Sequence, residues 1–165
     1  MTDIVKQASV AAERVRFEHW GDRVPVDPAQ IAGALGIKVV EAHLDADVAG
    51  AIQRQPGEQA IIFVSASDHA NRKRFTCAHE VGHFVKRSDD SEVLGYIDYR
   101  DEAASMGTDE EERYANAFAA ALLMPERDVE RFHAIGLNDE ELAQKFGVSQ
   151  AAIVNRLKNL NLFQR

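Results

Sequence analysis

His79 and His83 stand four residues apart, with Glu80 directly after the first, in the pattern H-E-x-x-H. On a helix, residues i and i+4 share a face, so two imidazoles at that spacing can close on one metal ion. Zinc accepts imidazole nitrogen at about 2.0–2.1 Å, and its hydrolytic sites use three protein ligands with a fourth position open. Glu80 would then lie beside the metal as a general base without binding it. The motif therefore demands a helix to carry it and a third protein ligand.

The flanking residues supply the helix. Ser67 or Asp68 can cap it, and Phe75, Ala78, Val81, Gly82 and Val85 recur at the spacing of a mostly buried face, which predicts a helix over about 68–87. Histidines turned inward must find polar partners, because an unpaired buried polar group costs about 1–3 kcal/mol. A metal would satisfy both rings at once. Downstream, Thr108-Asp109-Glu110-Glu111 reads as a capping box, and Tyr114, Ala115, Phe118, Ala119, Leu122 and Leu123 extend a helix over about 109–124 that stops where Met124 precedes Pro125. Glu110 and Glu111 fit a solvated helix start favoured by the dipole. Glu112 shares a face with Ala115 and Asn116, which makes it the expected third ligand and makes Asn116 an amide able to orient one of the imidazoles.

Two stretches, Arg72 to Phe84 and Glu112 to Pro125, together with Val26-Asp27-Pro28-Ala29-Gln30-Ile31-Ala32 and Leu35-Gly36-Ile37, resemble the ImmA/IrrE-type zinc metallo-endopeptidases, a gluzincin-like group. The resemblance implies that His79, His83 and Glu112 hold zinc and that Glu80 is the catalytic glutamate. It also implies a substrate: a basic helix-turn-helix repressor or antitoxin, cut at one site to relieve repression in a mobile-element, stress-response or toxin-antitoxin-like system. Gluzincins often carry aspartate four residues after the ligand glutamate. Asn116 stands there in this chain, an amide that accepts a hydrogen bond but adds no charge to make the imidazole more basic. The donor set also admits Mn2+ or another divalent ion. For the oxyanion of a peptidase intermediate, Tyr96, Tyr99, Tyr114 and His133 are the candidate donors.

A chain of 165 residues, 45% of them hydrophobic, suffices for one core, so a single metallopeptidase domain over 1–165 is expected. No apolar run approaches the length of a membrane span and no leader pattern opens the chain, which predicts a cytoplasmic protein with no membrane partner. Cys77 is the lone cysteine, which excludes an internal disulfide and reads as a small buried hydrophobe. Charge is concentrated: residues 89–113 hold ten acids and two arginines, a net of −8 that equals the formal charge of the whole chain. Such a patch beside a cleft would steer a basic partner.

The remaining elements must position this chemistry. Helical periodicity over about 3–19, a short helix at Ala29 to Leu35, and strand candidates at Ile37 to Glu41, Val48 to Arg54 and Ala60 to Val64, with a turn at Pro56-Gly57, predict an α+β fold. A small antiparallel sheet is expected to pack on zincin-type helices, with Leu94 to Tyr99 as a further strand. Over about 138–160 the sequence resembles a helix-turn-helix, with Ser149 capping its second helix. A DNA-binding regulator with a structural metal site, using Gln150, Asn155, Arg156 and Lys158, is therefore one rival; a metal-stabilised interaction module that never cleaves is another. The acidic balance of the chain argues against DNA.

Overall fold

The computed structural model describes residues 3–87, 94–99 and 110–162. The order is α1 (Asp3–His19), α2 (Pro28–Ala34), β1 (Lys38–Ala42), β2 (Val48–Arg54), β3 (Ile61–Ser65), α3 (Ala70–Lys86), β4 (Leu94–Tyr99), α4 (Glu110–Leu123), α5 (Glu126–Ala134), α6 (Asp139–Phe146) and α7 (Gln150–Asn159). This is an α+β fold, with a four-stranded sheet in the order β1-β3-β2-β4. The sheet is mixed rather than wholly antiparallel: β2 runs antiparallel to β3 and β4, but β1 lies parallel to β3. The reason is topological, since β2 and β3 form a hairpin turned at Gly57 (φ 79°) and β1 joins its far side.

Small residues set the spacing of the layers. α3 packs along α4, and α4 along α1. A side chain at Gly82 would bring its Cβ within 3.1 Å of the Ala115 Cα and 3.2 Å of the Phe118 Cβ, so the glycine inside the histidine motif is what lets the two helices approach. Gly50 plays the same part between sheet and helix, where a Cβ would fall 2.3 Å from the Thr76 Cγ2 and 3.0 Å from the Phe63 carbonyl oxygen. Phe118, Leu122, Leu123, Met124 and Ile31 fill the core behind these contacts, all fully buried.

Local signals are reassigned in two places. α3 is capped by His69, whose Nδ1 accepts from the Asn71 N–H at 3.2 Å, and by neither Ser67 nor Asp68. Those two residues belong to the turn leaving β3, where Asp68 N–H bonds the Ser65 carbonyl and the Ser65 and Ser67 hydroxyls pair at 3.0 Å. A further helix, α5, follows Pro125 directly, because a proline that ends one helix also suits the start of the next. The proposed capping residue Thr108 lies outside the described residues.

α6 and α7 meet at Gly147, which takes a left-handed conformation (φ 63°), and Ser149 caps α7 through the Ala152 N–H. The turn is fastened to α3. Arg74 donates to the carbonyls of Gly147, Phe146 and Val26, and Asn71 donates to the Val148 carbonyl at 3.1 Å. Replacing Arg74 by methionine is expected to cost about 3 kcal/mol, because it strips a charged donor from part-buried carbonyls. Urea melts measure the loss, and amide exchange should show α6 and α7 losing protection first. Unchanged protection there would remove Arg74 as the fastening.

Candidate metal centre

α3 carries His79, Glu80 and His83, each no more than 2% exposed, on the face turned to α4 and the sheet. Glu112 comes from the first turn of α4, held in place next door by Glu111. The Glu111 carboxylate accepts from Arg87 just past the end of α3, with Arg87 Nε at 3.0 Å, so the outer end of one helix is clamped to the start of the other. Glu111 is thus an ion-pair partner rather than a solvated helix start.

The three side chains meet at their tips. His79 Nε2 lies 3.1 Å from His83 Nε2 and 3.2 Å from Glu112 Oε2, and His83 Nε2 lies 3.1 Å from Glu112 Oε1. A tetrahedral ion with bonds of about 2.0–2.1 Å sets its ligand atoms roughly 3.3–3.4 Å apart, close to these separations. Hydrogen bonding alone does not account for the triangle. His79 Nδ1 pairs with the Asn116 Oδ1 at 3.0 Å, so the ring donates there and its Nε2 presents a bare lone pair. A hydrogen on His83 Nε2 can point to Glu112 Oε1 or to His79 Nε2, and either way Glu112 Oε2 faces that lone pair, fully buried and accepting no hydrogen bond among the described residues. A cation answers every edge of the triangle, and these residues could hold one.

The protonation states agree with that use. Burial lowers the His83 imidazole below its ordinary 6.5 and outweighs the pull of Glu112, so the ring is neutral near pH 7. Burial raises the Glu112 carboxyl, but the hydrogen bonds and charge that His79 and His83 offer when protonated prevail and hold it at about 2. Metal ligands must be deprotonated in this way. For the metal-free chain the sign follows from proton uptake: in each case the unfolded state binds protons at higher pH than the folded state does. Stability should therefore fall as pH drops below 6.5, through His83, and again from 4.5 toward 2, through Glu112. Urea midpoints in excess chelator at pH 7 and pH 5 check the first step; a higher midpoint at the lower pH would contradict it.

Glu80 is wholly buried beside this group. Its Oε1 would stand 3.5 Å from any Cβ at Gly50, so β2 backs the carboxylate at a position that carries no side chain. This is the neighbour that sequence reasoning missed: Gly50 sits in an ordinary-looking strand, and only its closeness to Thr76 and Glu80 marks it.

Other expected residues fall elsewhere. Tyr114 follows Glu112 by two residues, hence on another face of α4; it is buried in the core, stacked on Phe118 at 6.3 Å. His133, on α5, lines a separate cavity with Leu137, Asn138 and Gln150. The side chains of Tyr96 and Tyr99 lie outside the described residues, although β4 pairs their backbone with Ile52 and Val48. Most of the acidic 89–113 stretch is also outside them. Cys77 is buried, and burial pushes its thiol up to about 12, which makes it inert. Arg156, a candidate DNA contact, is only 8% exposed and donates from Nε to the Met124 carbonyl at 3.0 Å, so it is turned into the protein.

Residues 32–158 match the family model described as the IrrE N-terminal-like domain. Over 105 residues the chain is 33% identical to the radiation response metalloprotease IrrE of Deinococcus radiodurans, an alignment covering 61% of this chain and 31% of that protein. A solved Mycobacterium tuberculosis transcriptional regulator superposes with a TM-score of 0.64 at 22% identity, covering 92% of this chain and 46% of that one, which is a likeness of fold. The chain thus spans about a third of the curated relative and about half of the solved one. With the match running from within α2 into the last turn of α7, across both helices that carry His79, His83 and Glu112, the chain belongs to the IrrE N-terminal-like peptidase family.

Proposed function

We propose that residues 1–165 act as one zinc-dependent endopeptidase domain in the cytosol, hydrolysing a peptide bond in a protein partner. The observation that carries this reading is the triangle of His79, His83 and Glu112 with Glu80 in the same buried turn. A divalent ion bound there would supply a Lewis acid that acidifies water and polarises the scissile carbonyl. The residues do the rest. His79, His83 and Glu112 hold the site, Asn116 fixes the His79 ring through Nδ1, and Glu80 takes the proton of the attacking water and returns it to the leaving amine. No helix among the described residues is long and apolar enough to cross a membrane.

Substrate binding draws on the sheet. Among the described residues β4 is the outer strand beside β2, the strand whose Gly50 stands against Glu80, so a peptide added along β4 would be held by backbone hydrogen bonds to the sheet that backs Glu80. Tyr96 and Tyr99 on that strand are the oxyanion donors we retain. The partner is a basic helix-turn-helix repressor or antitoxin: the net charge of −8 favours it, and the name of the Deinococcus relative, a radiation response metalloprotease, fits a stress-linked role. Incubating the chain with such a repressor, with and without a chelator, should yield two fragments with one new N-terminus, only when metal is present. Cleavage that persists in the chelator would overturn the reading.

A further inference from the structure

A second cavity, of about 650 Å³, opens between the first turns of α3 and α7 and the C-terminal part of α4. Its size is that of a small-molecule site, which spans roughly 300–1,000 Å³. Phe75, Ala120 and Met124 give it apolar walls, and Arg156 and Arg72 bring positive charge. In a chain with 27 acidic and 19 basic residues, no carboxylate lines it among the described residues. We infer that this cavity binds a small organic carboxylate, its apolar body against Phe75 and Met124 and its charged end toward Arg156.

Arg156 carries the argument. Only 8% of it is exposed, yet of its five N–H donors only the Nε–H has a partner among the described residues, the Met124 carbonyl. Its terminal nitrogens are not among the fully buried unpaired atoms, so they open onto the cavity, where a carboxylate can accept two parallel hydrogen bonds from them. Glu126 and Glu13 are near enough to favour its charge, but neither forms an ion pair with it among the described residues. The first turns of α3 and α7 reinforce the preference, since both line the cavity and a helix start carries partial positive charge. One deeply buried arginine between apolar walls suits a single negative charge.

The cavity is distinct from the metal-binding group but shares its helices: Phe75 is one turn before His79 on α3, and Ala120 one turn after Asn116 on α4. Titrating the 15N-labelled chain with 2-naphthoate, 2-naphthamide and inorganic phosphate, followed by amide chemical shifts, tests the inference. The expected result is saturable shifts at Arg72, Phe75, Ala120 and Ala152 with naphthoate, at least about tenfold tighter than with the neutral amide or with phosphate. Arg156→Gln risks unfastening α7, so two milder variants serve. Arg72→Gln should weaken naphthoate several-fold, and Ala152→Leu should abolish its binding without lowering the melting temperature. Equal affinity for acid and amide, tighter binding of phosphate, shifts located elsewhere, or no saturation at millimolar ligand would each overturn the assignment.

Discussion

Glu80→Gln is expected to lower the rate of substrate cleavage by at least about 10²–10⁴-fold, the range for removing a general acid-base group. Metal content should stay at one equivalent. The two halves of this result separate roles that truncation to alanine would blur. Glutamine keeps the length and shape of the side chain in a place where shape matters, because Glu80 is fully buried and Gly50 stands against it. What it removes is the ability to take a proton from water and hand it to the departing amine. The proposed metal-binding atoms belong to His79, His83 and Glu112, none of which hydrogen-bonds Glu80 in the triangle described above, so the ion should remain. Single-turnover cleavage and metal analysis on the same preparation provide the check. A variant that cuts within twofold of wild type would exclude Glu80 as the base, and one that cuts normally after the metal is stripped would exclude the whole centre.

The two halves of the centre were unequally legible in the sequence. His79 and His83 declare themselves because helical spacing alone puts them on one face, whatever the rest of the chain does. Glu112 is one of three consecutive glutamates, and local reasoning separates it from Glu110 and Glu111 only through its phase with Ala115 and Asn116. The structure sets Glu112 against both imidazoles and gives Glu111 to Arg87. That division depends on how far α3 has advanced along α4 when their faces meet, a tertiary quantity that no local pattern encodes. Gly82 and Gly50 show the same limit from the other side. In sequence Gly82 reads only as one member of a buried face and Gly50 as an ordinary strand residue, but each sets how closely two layers can approach. The parallel pairing of β1 was hidden for a related reason, since an alternating strand looks the same whichever way its neighbour runs. His69 as a cap was hidden because serine and aspartate before it are better capping types, and only the turn after β3 uses them up.

Loss of metal should be graded by distance from the ion's position, and this gradation is what distinguishes a metal centre from a buried polar cluster. Asn116→Ala removes no proposed ligand; it releases the His79 Nδ1–H and with it the ring's fixed tautomer, which should weaken zinc about 10–100-fold. Glu112→Ala takes away the only anionic donor of the triangle and leaves two neutral imidazoles, so the loss should exceed that range. Asn116→Asp runs the other way, since a carboxylate at the same place makes the ring more basic and should tighten the site. Competition with a chromogenic chelator at fixed pH measures all three. In a cluster held together by protons the order would differ, because Glu112→Ala would relieve the facing lone pairs of His79 Nε2 and Glu112 Oε2 and stabilise the metal-free chain, with no effect on zinc from any of the changes. Equal zinc affinity across wild type and the three variants would therefore dismantle the centre, however well its geometry suits an ion.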